Sequence, residues 1–491
     1  MDKINSEEHN KSLNRLFRPR TVAIYEAKSK ISYFIEGFIQ QGYDLNNLFL
    51  ISSTEDEISG IKCFKSYDKL PVESIDLLIL SVRRELLIPS LKDIFSRIDV
   101  KFIHIFTAGT GEADEIGMQI ERELKELLDK KPNTRAIGPN CMGIYSPRGK
   151  VAYYPSFPIE SGNIGLIFQS GDLHSRFIKF GNKKYNLHFS KGISIGNCVD
   201  IQISEVLDHF NNDDEIDLIC VYFEGFSTLH PKAGINLFNV LKNLKKPVLF
   251  MRGGNTERAK KAVISHTGSI ATKNKIWDAI YNQTPIIEVP PSVDTLINYT
   301  YLFYNYINRF KRLKKKIVYP KDKKVLVVLW SGGFGILATD ILTELGLKMP
   351  YFEGESIKKL QEIYPSKIGS LANPLDLPWI SNTKEYYQIS KTAIEEKDID
   401  LVIVETDAWR DIENERFKSY YNNLLNLKKY TESKNKVFIL ILHEYPSKSR
   451  EIFYEKLIGD KFIVFPTVKS AAETFLKLYE YGIKLNKKIN S

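Results

Sequence analysis

The sequence predicts an α/β protein built from three doubly wound domains in series. Short apolar runs rich in β-branched residues alternate with segments of helical length, which is the pattern of parallel sheets covered by helices. The chain has 491 residues, of which 43% are hydrophobic and 26% are charged. This is an ordinary globular composition, and a prior of about 150 residues per domain leaves room for about three domains.

The first domain is predicted over residues 15–150. Its strands are TVAIYEA (21–27), NLFLIS (47–52), DLLILSV (76–82), KFIHIFTAG (101–109) and TRAIG (134–138). The turn-rich segment YYPSFPIESG (153–162) separates it from the second domain, which is predicted over residues 160–308. The strands of the second domain are NIGLIFQSG (163–171), HFSKGISIG (188–196), DLICVYFEG (217–225) and KPVLFMRGG (246–254).

The third domain is predicted over residues 325–485. Its strands are KKVLVVLWSGG (323–333), DLVIVETD (400–407), KVFILILHE (436–444) and KFIVFP (461–466). The basic run RFKRLKKKIVYPKDKK (309–324) precedes it and is predicted to be a solvated interdomain linker. Nucleic-acid binding through this run is the weaker alternative, because aromatic residues are sparse within it.

Composition and charge narrow the class of protein. The net charge is +9, which is compatible with anionic small molecules such as nucleotides or phosphate esters. No apolar run approaches the roughly 20 residues that span a bilayer, and the N-terminus has no signal-peptide core. The cysteines have no CxxC or Cys-His metal spacing: Cys63, Cys141, Cys198 and Cys220. We therefore expect reduced thiols, no metal site and a cytoplasmic location.

Glycine-rich turns follow two of the predicted strands, where parallel sheets bind their ligands. They are the Ser170–Gly171 turn and the Gly332–Gly333 turn, and each enters a predicted helix. Unpaired N–H groups at the positive end of a helix dipole favour phosphate. A purely structural role remains the alternative, because tight strand-to-helix turns use glycine anyway.

The stretch KKAVISHTGSIATK (260–273) contains a histidine, His266, among small hydroxylic residues and a glycine. Residues of this kind cap turns and helix starts, so the imidazole is expected to be exposed. From this string alone, a surface-loop histidine is the simpler interpretation. A carboxylate, Glu224, stands at the end of another strand of the same predicted domain.

Several motifs in a fixed order give the chain a family resemblance. They are AIGPNCMGIYSP (136–147), GLIFQSGDL (165–173), FSKGISIGNCVDI (189–201), VYFEG (221–225), SHTGSIA (265–271), SGGFGILATD (331–340) and NPLDL (373–377). From about residue 15 to 480 the chain resembles the α subunit of ADP-forming acyl-CoA synthetases (acetate–CoA ligase, ADP-forming), in the succinyl-CoA synthetase superfamily. The resemblance implies a Rossmann-like CoA-binding domain followed by two flavodoxin-like, succinyl-CoA synthetase-like domains.

The resemblance also implies a phosphoryl relay. Acyl-CoA and phosphate give an acyl phosphate, which phosphorylates a histidine, and the phosphohistidine then phosphorylates ADP. His266 corresponds to that histidine, and Glu224 to the glutamate that holds the imidazole tautomer. The Ser170–Gly171 and Gly332–Gly333 turns would each direct a helix N-terminus at the phosphoryl group.

The predicted cofactors are coenzyme A, and ADP/ATP with Mg²⁺ on a partner. The CoA contacts implied by the resemblance are Lys28, Ser29, Ser81, Val82, Thr107, Ala108, Gly109 and Asn140. Nothing outside residues 15–485 is expected to form an ATP-grasp domain. A separate ATP-grasp β subunit is therefore predicted, in an α2β2-type assembly, with a small carboxylic acid and its acyl-CoA as substrates.

The chain departs from the family pattern at several places, and two of these changes introduce carboxylates. The first strand normally ends in Gly-Ala-Ser, but here the chain reads Tyr25-Glu26-Ala27, and an acidic Asp172 follows the Ser170–Gly171 turn. Both changes place carboxylates beside expected anion sites. They motivate an alternative, in which the chain is a catalytically weakened regulatory or scaffolding α-like subunit with an altered CoA site.

Overall fold

A computed structural model describes residues 13–267, 274–365, 368–409 and 411–490, with the backbone alone at 264–267 and 488–490. The chain divides into two compact units, the first ending at Thr300 and the second beginning at Tyr301. Two seven-stranded sheets lie in the first unit, and a five-stranded sheet lies in the second. The α/β class expected from the sequence is confirmed.

The first sheet has the strand order β3-β4-β2-β1-β5-β6-β7. Its strands are β1 Val22–Tyr25, β2 Leu48–Ile51, β3 Glu57–Ile58, β4 Ile61–Phe64, β5 Ser74–Leu80, β6 Asp99–Ile105 and β7 Arg135–Ile137. All neighbours run parallel except the β3–β4 hairpin. The five predicted strands are present, whereas the hairpin was not predicted because its strands are short and only partly buried.

Three longer helices accompany this sheet: α1 Tyr33–Gln41, α2 Arg84–Arg97 and α3 Glu115–Asp129. Helix α3 begins where the Asp114 carboxylate accepts the Gly117 N–H at 2.8 Å, an N-cap bond. Gly117 is required at this place, because a Cβ there would stand 2.0 Å from the Thr110 carbonyl oxygen. The cap and the glycine together fix the loop that follows β6.

The second sheet has the order β14-β13-β12-β10-β11-β8-β9. Its strands are β8 Gly143–Ser146, β9 Val151–Ala152, β10 Ser161–Phe168, β11 Phe189–Ser194, β12 Leu218–Phe223, β13 Val248–Arg252 and β14 Ile287–Val289. Strand β8 pairs antiparallel with both β11 and β9. Residues 143–152 therefore add to the second sheet, although the predicted first domain extends to residue 150.

The other longer helices among the described residues follow along the rest of the chain. They are α4 Gly171–Tyr185, α5 Ile203–Asn211, α6 Ala233–Lys242, α7 Glu257–Thr267, α8 Asn274–Gln283, α9 Val293–Arg312, α10 Gly332–Glu344, α11 Glu355–Ile363, α12 Lys384–Lys397, α13 Glu415–Ser433, α14 Lys448–Gly459 and α15 Val468–Asn490. Among the described residues, none of the helices is long and apolar enough to cross a membrane.

The third sheet has the order β16-β15-β17-β18-β19, with every neighbour parallel. Its strands are β15 Val325–Leu329, β16 Leu375–Asp376, β17 Leu401–Thr406, β18 Val437–Leu442 and β19 Val464–Phe465. Every residue of β15, β17 and β18 is buried. This burial explains why these strands read as continuous apolar runs in the sequence.

The basic run 309–324 differs in part from the predicted solvated linker. Its first residues end helix α9, and Arg309 is only 6% exposed. The Arg309 guanidinium donates to the Lys436 carbonyl oxygen at 2.7 Å and lies 4.6 Å from the ring centroids of Tyr306 and Phe310. Arg309 is therefore not solvated as predicted, because its guanidinium is buried against two aromatic rings and a backbone carbonyl. Residues 311–316 are exposed as expected.

Candidate functional site

A cavity of about 890 Å³ lies in the first unit, where strands of the first sheet end near the end of β10. The predicted ligand residues that line it are Lys28, Ser81, Val82, Thr107, Ala108, Asn140, Ser170 and Gly171. Ser29 and Gly109 are not among its lining residues. The cavity thus brings most of the predicted CoA contacts together with one of the two predicted phosphate turns.

Parallel pairing places the ends of three strands at this cavity. Tyr25 of β1 pairs with Leu80 of β5, and Leu80 pairs with Ile105 of β6. The residues that follow these strands therefore emerge at one edge of the sheet. The Thr107 hydroxyl ties two of these ends together by donating to the Val82 carbonyl oxygen at 2.8 Å.

Asn140 approaches the same edge from the segment after β7. Its φ of 55° lies in the left-handed region, which asparagine tolerates better than most residues. The Asn140 N–H donates to the Thr107 carbonyl oxygen at 2.9 Å. The backbone at residue 140 is therefore fixed against the β6 strand end, and its side chain lines the cavity.

The Ser170–Gly171 turn opens helix α4 at the cavity wall. The Ser170 hydroxyl accepts the Leu173 N–H at 3.4 Å, and Gly171 is the first helical residue. A Cβ at Gly171 would stand 2.2 Å from Met142 Cγ, so close packing requires glycine here. The helix N-terminus consequently presents backbone N–H groups and a positive dipole end beside the cavity.

Asp172 also lines the cavity, one residue into helix α4. Its carboxylate accepts from Arg176 Nε at 2.7 Å, one helical turn further on. Both side chains are more than half exposed, so solvent weakens this ion pair. The repulsion expected from Asp172 toward an anion is reduced by Arg176, but it is not removed.

The altered strand end of β1 has its own carboxylate contacts. Glu26 adopts a φ of 54° and accepts the Ser53 hydroxyl at 3.1 Å. Ser29 donates its N–H to Glu55 Oε1 at 3.0 Å and its hydroxyl to Glu55 Oε2. These two hydrogen bonds lower the pKa of the Glu55 carboxyl. Ser29 is therefore held by an acidic side chain of the chain itself, whereas Lys28 lines the cavity.

Arg83 is a lining residue that the sequence analysis did not select. It precedes helix α2 and is exposed. The neighbouring Arg84 instead donates to the Gly109 carbonyl oxygen at 3.0 Å and to Asp114 at 2.8 Å. The available signal was the basic pair directly after the strand DLLILSV. Among the described residues, Arg83 and Lys28 are the two cationic residues on the cavity wall.

Glu224 follows strand β12 and is only 5% exposed. The buried Gln169 side chain holds this strand end: its Oε1 accepts the N–H groups of Glu224 and Gly225, the latter at 3.1 Å. Gln169 Nε2 also donates to the Gly225 carbonyl oxygen at 3.0 Å. Because Gln169 itself lines the cavity beside Ser170, it connects the Glu224 strand end to the Ser170–Gly171 turn.

His266 lies near the end of helix α7, and its side chain lies outside the described part of the structure. The local sequence favours a turn, but the backbone is helical through Thr267. Residues 268–273 lie outside the described residues. Just beyond them, Asn274 donates to the Asn255 carbonyl oxygen at 2.9 Å and accepts from Arg252 at 3.1 Å. Helix α8 therefore starts against the end of β13.

The second predicted phosphate turn lies in the second unit. The Ser331 hydroxyl accepts the Phe334 N–H at 3.5 Å, and both Gly332 and Gly333 are exposed in the first turn of helix α10. A Cβ at Gly332 would stand 3.2 Å from Asp376 Oδ2. This helix start is thus open to solvent and has a carboxylate beside it.

Metal ligation is not indicated by the described side chains. Within the described residues, no group of three or more histidine, cysteine, aspartate or glutamate side chains is arranged to hold a metal ion. All four cysteines are buried and unpaired, and burial raises the pKa of each thiol. Among the described residues, the cavity is therefore lined by hydrogen-bond donors, the cations Lys28 and Arg83, the carboxylates of Glu26 and Asp172, and the N-terminus of helix α4.

Two family models match the chain in order. Residues 22–147 match a model described as a CoA binding domain, and residues 161–303 match a succinyl-CoA ligase-like flavodoxin domain. The solved structure of the dinucleotide-forming acetyl-coenzyme A synthetase 1 of Ca. Korarchaeum cryptofilum, in complex with phosphate and ADP, aligns with a TM-score of 0.76 at 22% identity. The alignment covers 96% of this chain and 98% of that one, which establishes the shared fold.

Characterised relatives are similar over most of this chain. Subunit alpha of acetate–CoA ligase [ADP-forming] II from Pyrococcus furiosus is 28% identical over 80% of this chain and 81% of its own length. Subunit alpha of enzyme I from the same organism is 29% identical over 80% and 82%. The acetate–CoA ligase [ADP-forming] of Methanocaldococcus jannaschii is 32% identical over 73% of this chain, but that match covers only 48% of the relative.

Proposed function

Because this chain belongs to the ADP-forming acyl-CoA synthetase family as an α subunit, we propose that it interconverts acyl-CoA, ADP and phosphate with the carboxylic acid, ATP and CoA. The observation that supports this proposal is that the strand ends of the first sheet and the Ser170–Gly171 helix start line the same cavity. CoA and phosphate would have to meet at such a place. No observation favours the alternative of a purely regulatory subunit.

The first step is acyl transfer from sulfur to phosphate. A phosphate oxygen attacks the thioester carbonyl carbon, the carbon–sulfur bond breaks, and CoA leaves as the thiol. Lys28 and Arg83 supply positive charge for the anionic part of CoA, and the N–H groups at the start of helix α4 hold the phosphate. Fixed dipoles of this kind stabilise the developing charge without reorganising.

The second step transfers the phosphoryl group to His266. A neutral imidazole nitrogen attacks phosphorus, the acid leaves as a carboxylate, and the phosphohistidine later passes the group to ADP, restoring the imidazole. Glu224 is proposed to accept the other ring N–H and so to fix the tautomer. The bonds from Gln169 to the backbone at residues 224–225 support this role, because they hold the strand end in place.

The nucleotide steps are assigned to a separate partner. We propose an ATP-grasp β subunit that binds ADP or ATP with Mg²⁺ and assembles with this chain as α2β2. Two of the relatives described above are named as alpha subunits, which supports a separate partner. The Gly332–Gly333 turn is proposed as a second phosphate-binding helix start, used in the same relay.

Intact-protein mass spectrometry at neutral to alkaline pH tests this proposal. The chain, with its β partner, is incubated with phosphate and a panel of acyl-CoAs, and separately with Mg-ATP. One acid-labile phosphoryl adduct is expected, absent in His266→Ala and retained in the matched control His188→Ala. An adduct that persists in His266→Ala would overturn the assignment of the nucleophile.

A further inference from the structure

A buried histidine follows the Ser170–Gly171 turn in helix α4. His174 is fully buried, and its ring lies against strand β11, where a Cβ at Gly192 would stand 2.5 Å from His174 Nε2. Burial lowers the pKa of His174 to about 3, so the imidazole is neutral near pH 7. A neutral imidazole carries one N–H proton, either on Nδ1 or on Nε2.

Three short contacts connect this imidazole to the Gly171 carbonyl group. The Tyr153 hydroxyl oxygen lies 2.7 Å from His174 Nδ1 and 3.0 Å from Ser175 Oγ. Ser175 Oγ in turn donates to the Gly171 carbonyl oxygen at 3.0 Å. All three distances lie in the hydrogen-bond range. Tyr153, in the segment after β9, is only 2% exposed, so the side chains themselves supply the protons of these bonds.

The number of protons decides the direction of the three bonds. Ser175 has one hydroxyl proton, which is donated to the Gly171 carbonyl oxygen, because a carbonyl can only accept. The Tyr153 proton is then needed on Ser175 Oγ, since this contact would otherwise bring two oxygens together with no proton between them. The third contact therefore requires a proton on His174 Nδ1, which is donated to the Tyr153 oxygen.

The opposite tautomer of His174 cannot complete these bonds. With its proton on Nε2, two hydroxyl protons would have to serve three contacts. The Nε2–H would also be a buried donor without an acceptor, because His174 Nε2 has no hydrogen-bond partner among the described residues, and such a donor is costly. The Nδ1–H tautomer also leaves Nε2 unpaired, as an acceptor, but it completes all three bonds.

The last of the three bonds orients a backbone N–H group at the cavity. The Gly171 carbonyl and the Asp172 N–H belong to one planar trans peptide unit, so they point in opposite directions. A carbonyl held along the helix therefore directs the Asp172 N–H toward the helix start, where the first N–H groups have no acceptor within the helix. Gly171 and Asp172 both line the cavity.

We propose that His174, Tyr153 and Ser175 are positioning residues for the Ser170–Gly171 turn. Their hydrogen bonds have a fixed direction, from His174 to Tyr153, then to Ser175 and finally to the Gly171 carbonyl, and they hold the Asp172 N–H in the direction that binds phosphate. The inference rests on the proposed function, in which this turn holds phosphate. None of the three side chains lines the cavity, so they act through the turn and not on the substrate.

Nitrogen-15 NMR of the full chain with labelled histidine tests the direction of the bonds. The chemical shifts of the two ring nitrogens identify the tautomer, and the His174 signals are assigned as those displaced in Tyr153→Phe. We expect a neutral Nδ1–H tautomer that is unchanged between pH 6 and pH 8, because the pKa lies far below this range. A neutral Nε2–H tautomer, or a charged ring at pH 7, would overturn the inference.

Steady-state kinetics with the β partner test the positioning role. Tyr153→Phe and Ser175→Ala should each raise the KM for phosphate about tenfold through loss of a buried hydrogen bond, whereas the KM for acyl-CoA should stay close to its wild-type value. Tyr145→Phe is the matched control, because Tyr145 is equally buried but donates to the Pro158 carbonyl oxygen at 2.6 Å. It should keep both KM values. Urea unfolding of each variant separates a loss of stability from a change in KM.

Equal phosphate KM values in Tyr153→Phe and Tyr145→Phe, or an unchanged value in Ser175→Ala, would overturn the positioning role. Neither result would affect the proposed function, because the wild-type chain would still turn over. A wild-type chain that does not turn over with its β partner would refute the proposed function and the positioning role together. The tautomer measured by NMR would still decide the direction of the hydrogen bonds.

Discussion

Replacing Gln169 should destabilise the first unit and impair phosphohistidine formation together. In Gln169→Ala three buried hydrogen bonds are lost, two to the N–H groups of Glu224 and Gly225 and one to the Gly225 carbonyl oxygen. At roughly 0.5–1.5 kcal/mol for each bond, the free energy of unfolding should fall by about 3 kcal/mol. Water entering from the cavity would offset part of this loss, because Gln169 lines the cavity.

The variant Gln169→Glu distinguishes the two hydrogen bonds that Gln169 accepts from the one that it donates. An ionised glutamate in Gln169→Glu can still accept both N–H groups, but it cannot donate to the Gly225 carbonyl oxygen, so its loss should be smaller. Urea unfolding of the chain labelled with 5-fluorotryptophan, followed by the fluorine signal of Trp277, which is buried in the first unit, measures the difference. The exposed Gln119→Ala is the control. A loss in Gln169→Ala no larger than in Gln119→Ala would refute the reasoning.

Three further perturbations have defined outcomes. Arg83→Ala should weaken CoA binding about tenfold in calorimetric titration through loss of a charge-assisted contact, whereas Lys92→Ala, on helix α2 that follows Arg83, should not. Equal losses would remove Arg83 from the site. Gly171→Ala should lower the free energy of unfolding by about 1–3 kcal/mol through overpacking, while Gly333→Ala, with no atom within 4 Å of the added Cβ, should change it little; equal effects would contradict the packing argument. Burial alone would raise the pKa of Glu215, but three neighbouring cations hold it at about 2. Its contribution to stability is therefore present above the unfolded pKa and is lost as the pH falls from about 4.5 toward 2. This loss is about 3 kcal/mol, at about 1.4 kcal/mol for each pKa unit, and Glu215→Gln should abolish it in acid unfolding; an unchanged acid transition in that variant would assign the loss elsewhere.

Strands and helices with a strong pattern in their own residues could be predicted from the local sequence. The continuous apolar runs, such as VLVVL in β15, became buried parallel strands because covered sheets bury both faces of a strand. The glycine turns opened helices as predicted, with Ser170 and Ser331 as side-chain caps. The short strands β8 and β9 were missed, because β8 pairs with the distant strand β11 and β9 joins the sheet only through β8, so neither depends on its own pattern.

Some residues of the candidate site could also be predicted from the sequence, and others could not. Residues directly after strands, such as Thr107 and Ser170, could be chosen from the sequence because parallel strand ends share one edge. Arg83 and Gln169 also follow strand ends, but they were not selected, because the sequence does not show which of the residues at a strand end face the cavity. Ser29 was expected to be available, yet the tertiary structure places Glu55 against it, 26 residues away in sequence.

The sequence by itself determined the α/β class, the long buried strands and the family resemblance, since each depends on local periodicity or on motifs read in order. Only the tertiary structure decided which charges are neutralised, which polar atoms are buried and which helix starts have carboxylates beside them. Glu405, for example, is an acidic residue within an apolar strand, and only the pairing of β17 with β15 and β18 leaves it 7% exposed in the third sheet. Electrostatic interactions depend on distance and burial in space, and neither quantity is fixed by separation along the chain.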